Sequence, residues 1–206
     1  MAEITAQDVQ RLRQTAGVGM MDAKKALTEA GGDFDRAFEL LRERGLAAAA
    51  KRAGREASDG AIGVYVHRQA ERPVMGVLVE LSCETDFVAK SQEFNDVAND
   101  LAMHVSWGNP SWIRREDVDG AIVAKERDLI TREAVAAGKP EQAIPKIVEG
   151  RLEKFYADHV LYEQVFVNKE KFDGSVGDMV TQLAARMGEN IGVRRFARLA
   201  VGEQEG

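Results

Sequence analysis

The chain has 206 residues, of which 45% are hydrophobic and 30% charged, a balance typical of one large or two small globular domains. Its 28 basic and 34 acidic residues give a net charge of −6, which argues against a dedicated nucleic-acid-binding protein. Apolar runs fall short of the ~18 residues that a membrane span needs, and residues 1–16 lack the apolar core of a signal peptide. We therefore expect a cytoplasmic protein without membrane contact.

The N-terminal part of the chain contains residues that typically begin and end short helices. Thr5 can cap a first helix, Asp33 can cap a third, and Gly45 is placed to end that third helix. We predict a three-helix head over residues 1–45. The alanine-rich residues 46–57 then predict a connecting helix rather than a flexible linker.

The second helix of this head is predicted from Met20, after a turn at Gly17. Its apolar stripe consists of Met20, Ala23, Leu27 and Ala30. Met21 falls instead on the polar side, beside Lys24 and Lys25. Such a residue is either an ordinary exposed methionine or a contact for a partner, and the pattern alone leaves both open.

A strand runs directly into a helix in the middle of the chain. Residues 74–83 alternate with a period of two, and from Phe87 the apolar residues recur at helical spacing. Thr85 or Asp86 can cap that helix. Phe87 precedes Phe94 by seven residues, so it is either part of the buried stripe or a side chain presented at the corner.

The body of the chain, residues 58–206, contains both strand patterns and helix patterns, including the strand pattern at 74–83 already described. Its predicted elements are a hairpin around residues 69–73, a helix at 118–138, a broken helical pair around Pro140 and Pro145, a third strand at 161–167, a helix at 176–187 and a closing strand at 189–201. The fold class predicted is α+β: a three-helix head followed by a small antiparallel sheet packed with helices.

The segment from Glu80 to Lys90 closely resembles the signature of the elongation factor Ts family, with the core Thr85-Asp86-Phe87-Val88 intact. Ser82 stands where that family more often has Asn. The resemblance implies a guanine-nucleotide exchange factor that binds elongation factor Tu with GDP, dislodges Mg²⁺ and lets GTP enter. Thr85, Asp86, Phe87 and Val88 would be the residues that displace the metal.

The segment from Leu12 to Leu27 resembles the N-terminal signature of the same family, although Ala16 and Val18 replace its usual Thr and Ala. The resemblance implies a ubiquitin-associated-like head that docks on the GTPase domain of elongation factor Tu. Arg13, Met20 and Met21 match family positions that make this contact.

The length of the chain leaves room for one body module. It resembles the short members of the family, which pair through their sheets, and this implies a homodimer in which 58–206 is the exchange and dimerisation domain. Some short members carry a cysteine cross-link in the final strand. Ala197 occupies that position here, so the cross-link cannot form.

Two other classes of protein stay open on the residues alone. One is an adaptor that binds a partner through the head without promoting exchange. The other is a small enzyme with Cys83 as its nucleophile, although Cys83 lies on the apolar face of its strand and the three histidines lack zinc spacing. Gly17-Val18-Gly19 lacks the Lys and Ser or Thr of a phosphate-binding loop. We expect no enzymatic activity, no cofactor and no direct nucleic-acid contact.

Overall fold

The computed structural model describes residues 4–16 and 18–203; Gly17, at the predicted turn, lies outside this description. The elements are α1 (Ala6–Ala16), α2 (Met20–Glu29), α3 (Phe34–Arg52), β1 (Asp59–Gln69), β2 (Arg72–Cys83), α4 (Asp86–Ala89), α5 (Gln92–Gly108), α6 (Gly120–Ala136), α7 (Ile144–His159), α8 (Val176–Met187) and β3 (Gly192–Ala200). The predicted α+β class, with helices first and a small sheet afterwards, is confirmed.

The chain divides into two compact units. The first takes in the described parts of Met1–Gly60 together with Ser82–Ala89 and Val180–Gly192. The second consists of Ala61–Leu81, Lys90–Met179 and the described part of Val193–Gly206. The head helices and the corner around Phe87 therefore belong to one unit, and most of the sheet belongs to the other.

The first unit contains the predicted head, whose caps form as expected. The backbone N–H of Asp8 donates to Thr5 Oγ1 at 3.2 Å, and the N–H of Thr5 donates back to Asp8 Oδ2 at 3.0 Å. Asp33 Oδ1 accepts from the N–H of Arg36 at 2.9 Å. The core between α1, α2 and α3 is formed by Val9, Leu12, Ala23, Ala26, Leu27, Ala37 and Leu41.

Gly45 does not end the third helix, contrary to the prediction. The helix α3 runs through it to Arg52. A Cβ atom at Gly45 would lie 3.1 Å from the Cβ of Ala185 on α8, within the same unit. The glycine therefore allows two helices to approach closely, which overrides its tendency to terminate a helix.

The sheet has three strands in the order β1-β2-β3. On β2 the side chains of Val77, Val79, Leu81 and Cys83 are buried, as the alternation predicts. On β1 the backbone of Gly63 lies against α5, since a Cβ there would come within 1.9 Å of the carbonyl oxygen of Ala98. The helix α5 thus packs directly against this part of the sheet.

The helix predicted to begin at Phe87 is broken in two. Residues Asp86–Ala89 form the short α4, and α5 starts afresh at Gln92, where Ser91 Oγ accepts from the N–H of Phe94 at 3.4 Å. The break changes the helical phase between Phe87 and Phe94. Phe94 is fully buried whereas Phe87 is exposed, so the two rings do not share a stripe.

The predicted strand at residues 161–167 is wrong. Residues Leu161–Glu163 form a 3₁₀ turn, and only an isolated antiparallel bridge joins Val165 to Ser175. The side chain of Gln164 explains the difference, because its amide donates to the carbonyls of Gly108 and Asp158 at 2.8 and 2.9 Å. Scattered backbone bonds, such as those from the N–H of Leu161 to the carbonyl of Trp112 at 2.8 Å and from the N–H of Phe166 to the carbonyl of Gly174 at 2.9 Å, add to this side chain without forming a continuous ladder.

Two further helices pack together within the second unit. Pro145 lies in the first turn of α7, as the sequence predicts, and α6 and α7 share a small core of Ile130, Val148 and Leu152. Within residues 4–16 and 18–203, the helices are all too short or too polar to cross a bilayer.

Candidate functional site

The corner between β2 and α4 presents Phe87 to solvent. The ring of Phe87 is 83% exposed, whereas the next residue, Val88, is 5% exposed and anchors the turn. Thr85 caps α4, with its Oγ1 accepting from the N–H of Val88 at 3.4 Å. Of the two possibilities left open by the sequence, the structure shows Phe87 outside the core. Thr85 and Asp86 are exposed beside it.

The corner is held by Glu189, in the loop between α8 and β3. The Oε2 atom of Glu189 accepts from the backbone N–H groups of Glu84 and Thr85 at 2.9 and 3.1 Å. Its Oε1 accepts from the hydroxyl of Thr85 at 2.5 Å. Three hydrogen bonds to a single carboxylate fix the residues that lead into Phe87.

A second set of bonds ties Glu84 and the same loop to the chain just after α3. The N–H of Asn190 donates to Glu84 Oε1 at 2.6 Å, and its side-chain amide donates to the carbonyl of Arg55 at 2.7 Å. Arg55 in turn pairs with Glu84 Oε2 at 3.5 Å. Glu189 and Asn190, within the loop between α8 and β3, thus contact the corner, and Asn190 also contacts the chain just after α3.

Sequence reasoning assigned no role to Glu189 or Asn190. They fall at the start of the predicted closing strand, residues 189–201, but the contacts they make with the corner are more than 100 residues away along the chain. A single sequence carries no signal for such a pairing.

Cys83, the last residue of β2, is fully buried. Burial raises the pKa of the Cys83 thiol to about 11, and the charge of Glu189 adds to the rise. Its Sγ donates to the carbonyl of Thr85 at 3.2 Å. A thiol that stays protonated and covered at neutral pH is the opposite of an activated nucleophile. The structure thus disfavours the cysteine-enzyme alternative.

The residues predicted to contact a partner through the head lie on its surface. Met21 on α2 is 75% exposed, Met20 is 49% exposed, and Arg13 on α1 is exposed as well. Met20 was expected within the apolar stripe, and the structure instead leaves about half of its surface accessible because it is the first residue of α2. These side chains belong to the same unit as Phe87.

One face of the sheet carries exposed apolar side chains. They are Ile62, Val64 and Val66 on β1, Leu78 on β2 and Leu199 on β3. On the same face, Glu80 and Arg195 form an ion pair with an Oε2 to Nε distance of 2.5 Å. Ala197, at the position where some short members carry a cysteine, is exposed too.

Among the described residues, no three His, Cys, Asp or Glu side chains are grouped closely enough to hold a metal ion. The corner is instead a rigid protein surface with a protruding aromatic ring. Such a surface suits contact with another protein.

Comparison with known proteins agrees with the sequence motifs. Residues 46–173 match the family model described as elongation factor TS. The chain is 52% identical over 201 residues to the protein named elongation factor Ts from Alkaliphilus oremlandii, covering 98% of this chain and 90% of that protein. It is 47% identical to the one from Fervidobacterium nodosum, covering 98% of this chain and 100% of that protein. The one from Moorella thermoacetica is 48% identical, with coverage of 97% and 96%. The chain belongs to the elongation factor Ts family.

Proposed function

We propose that this protein is a guanine-nucleotide exchange factor for elongation factor Tu: it binds the GDP form, dislodges Mg²⁺ and promotes release of GDP so that GTP can bind. Family membership supports the general role in exchange. The observation that carries the proposed mechanism is the 83% exposure of Phe87 on a corner braced by hydrogen bonds.

The proposed step is mechanical. A GTPase holds GDP through backbone N–H groups around the phosphates and through Mg²⁺. Phe87 would enter a cleft of the GTPase and displace the groups that hold the metal, with Asp86 beside it making polar contacts. Thr85 and Val88 act from within this protein, because one caps the turn and the other anchors it in the core.

The burial of a single ring sets the scale of the effect. Burying a Phe side chain contributes roughly 1.5–3 kcal/mol. If that free energy is gained only when the metal has left, it speeds GDP release by about one to two decades, at ~1.4 kcal/mol per tenfold. The coupling is reciprocal, so GDP weakens binding of this protein by the factor by which this protein weakens GDP binding.

The head supplies affinity rather than displacement in this proposal. Arg13, Met20 and Met21 would dock on the GTPase domain, because two accessible methionines on α2 and an exposed arginine on α1 can supply an adaptable apolar contact and a positive charge. Residues 1–45 then form the docking head, 46–57 its connection, and 58–206 the exchange and dimerisation domain.

A second copy of the chain is the proposed occupant of the exposed sheet face. Ile62, Val64, Val66, Leu78 and Leu199 form an apolar surface of the kind that mediates association. Two identical faces packed about a two-fold axis would bury these side chains on both copies. The partners proposed are thus elongation factor Tu and a second copy, with no direct contact to nucleic acid or membrane.

The release of labelled GDP from elongation factor Tu tests the proposed function. Adding this protein at catalytic amounts accelerates release if it is an exchange factor. An adaptor would instead form a complex, detectable by co-sedimentation, without changing the release rate. Binding without acceleration would therefore refute the proposal.

A further inference from the structure

We propose that Glu189 is a positioning residue for Phe87, holding the corner through three hydrogen bonds so that the ring points out at a fixed angle. This inference rests on the exchange function proposed above. It adds a residue that acts through Thr85 and does not itself have to touch the partner.

The corner gains from an external brace because its helix is very short. The helix α4 has only four residues, and a helix of that length is not stable by itself. Its internal support includes the bond from the N–H of Ala89 to the carbonyl of Thr85 at 3.2 Å. The N–H groups of Glu84 and Thr85, just past the end of β2, both donate to Glu189.

Glu189 is well placed to act as that brace. It follows Gly188, which ends α8 with φ of 73° and donates its N–H to the carbonyl of Ala184 at 3.0 Å. Asn190, on its other side, bonds to Glu84 and Arg55. The carboxylate is therefore presented from a loop that is fixed at both ends.

Thr85 carries the effect of Glu189 to the ring. Its hydroxyl donates to Glu189 Oε1 at 2.5 Å while accepting from the N–H of Val88 at 3.4 Å. Phe87 lies between these two residues in the chain. Without the carboxylate, two backbone N–H groups and one hydroxyl lose their acceptor, and water or a rearranged corner must replace it.

Loss of the Glu189 hydrogen bonds should mainly slow the step in which Phe87 displaces the metal. A protein with a loosened corner can still bind the partner through its head, but the ring of Phe87 no longer enters the cleft at the angle that displaces the metal. Misplacement of a contacting group by about 1 Å can cost up to roughly a hundredfold in rate. We therefore expect Glu189 to affect the maximal rate of GDP release more than the concentration at which this protein half-saturates the partner.

The test compares Glu189→Ala with Glu189→Gln in the full chain. Glutamine keeps an oxygen that can accept from both backbone N–H groups, and its amide can donate to the Thr85 hydroxyl. We expect Glu189→Ala to lower the maximal rate of labelled-GDP release by about tenfold or more. The half-saturating concentration should change by less than about threefold, and Glu189→Gln should stay within about threefold of the unaltered protein on both measures.

A second readout is local and independent of the partner. Hydrogen exchange of the amides of Glu84 and Thr85 should become faster in Glu189→Ala and stay protected in Glu189→Gln. Equal protection in both variants, or an unchanged maximal rate in folded Glu189→Ala, would overturn the positioning role. An equal loss of rate in Glu189→Gln would also overturn it, because hydrogen bonding would then not be the cause.

Two further variants distinguish a failure of the positioning role from a failure of the proposed function. If Glu189→Ala does not fold, Thr85→Val removes the hydroxyl from the same contact with little change of shape, and a normal maximal rate in that variant overturns the inference. Phe87→Ala reports on the proposed function itself. A normal rate in Phe87→Ala refutes the proposed displacement, whereas a loss there with normal Glu189→Ala refutes the positioning role alone.

Discussion

In the interior of the second unit, Nε2 of His104 donates a hydrogen bond to Oε1 of Gln164 at 2.9 Å. The direction of this bond follows from its surroundings, since the amide nitrogen of Gln164 already donates to the carbonyls of Gly108 and Asp158. The other ring nitrogen, Nδ1, accepts from the N–H of Val167 at 3.2 Å. The fold therefore requires a neutral imidazole with its proton on Nε2.

This arrangement predicts a loss of stability on mild acidification. Burial lowers the pKa of His104 from its ordinary value of 6.5, with the bond to Gln164 opposing the shift in part. Below about pH 6.5 the unfolded chain takes up a proton that the folded chain accepts only at lower pH, so the free energy of unfolding falls. Urea unfolding at pH 7.5 and 5.5 measures the effect, which for one histidine is at most about 1.4 kcal/mol per pH unit.

The control for the acidification experiment is a second histidine. His104→Gln should lower stability overall but flatten its dependence on pH between 7.5 and 5.5. His67→Gln, at an exposed position on β1, should leave that dependence unchanged. A pH dependence in His104→Gln equal to that of the unaltered protein would contradict the prediction.

Met21→Ala should weaken binding to elongation factor Tu without affecting the fold. The side chain is 75% exposed, so its removal should change the free energy of unfolding by less than about 0.5 kcal/mol. Loss of an interface contact costs about 1 kcal/mol or more, or roughly fivefold in the dissociation constant. Calorimetric titration measures the affinity. The matched core variant Leu27→Ala, on the same helix, should lose about 2–5 kcal/mol of stability instead.

Cys83 should react slowly with iodoacetamide in the native protein. Its thiol is fully buried, and burial raises the pKa of Cys83 to about 11, so almost none of it is thiolate at pH 8. Mass spectrometry should detect alkylation at the rate of a free cysteine only after denaturant is added. Rapid labelling of folded protein would mean that the thiol is accessible and activated, and would revive the enzyme alternative.

Leu78→Lys should convert the proposed dimer to a monomer. The side chain lies on the exposed sheet face, on the central strand, and a dimer through that face would bury a charged lysine on each copy. Light scattering after size-exclusion chromatography gives the mass. Val135→Lys, at an exposed position on α6, should leave the mass of the unaltered protein intact. If the unaltered protein is itself monomeric at tens of micromolar, the dimer is ruled out.

Local patterns predicted much of this fold. The α8 helix, Val176–Met187, has the bounds expected from its apolar spacing, and the caps at Thr5 and Asp33 form as their residue types suggest. The alternation along β2 predicted its buried face correctly. These features depend on residues close in the chain, for which sequence carries a direct signal.

The failures involve contacts between distant residues. The helix α3 continues through Gly45, where Ala185 of α8 lies against it. Residues 161–167 are held by the side chain of Gln164 and by scattered backbone bonds to residues 112–113 and 174–176 rather than by a continuous ladder. For Phe87, the helical spacing was compatible with either a buried or an exposed ring. The ring is exposed because the helix breaks before Gln92, where Ser91 caps a new helix. The brace from Glu189 has no local pattern at all, since it reaches back 104 residues to Thr85.

The proposal that Phe87 displaces the groups holding Mg²⁺ is tested most directly by the rate of labelled-GDP release with Phe87→Ala at saturating concentration. The variant should melt within a few degrees of the unaltered protein, because the ring is exposed, and should lose about ten- to a hundredfold in release rate. Trp107→Ala, which removes a second strongly exposed aromatic ring, should keep the normal rate. A folded Phe87→Ala protein that releases GDP as fast as the unaltered protein would contradict the account.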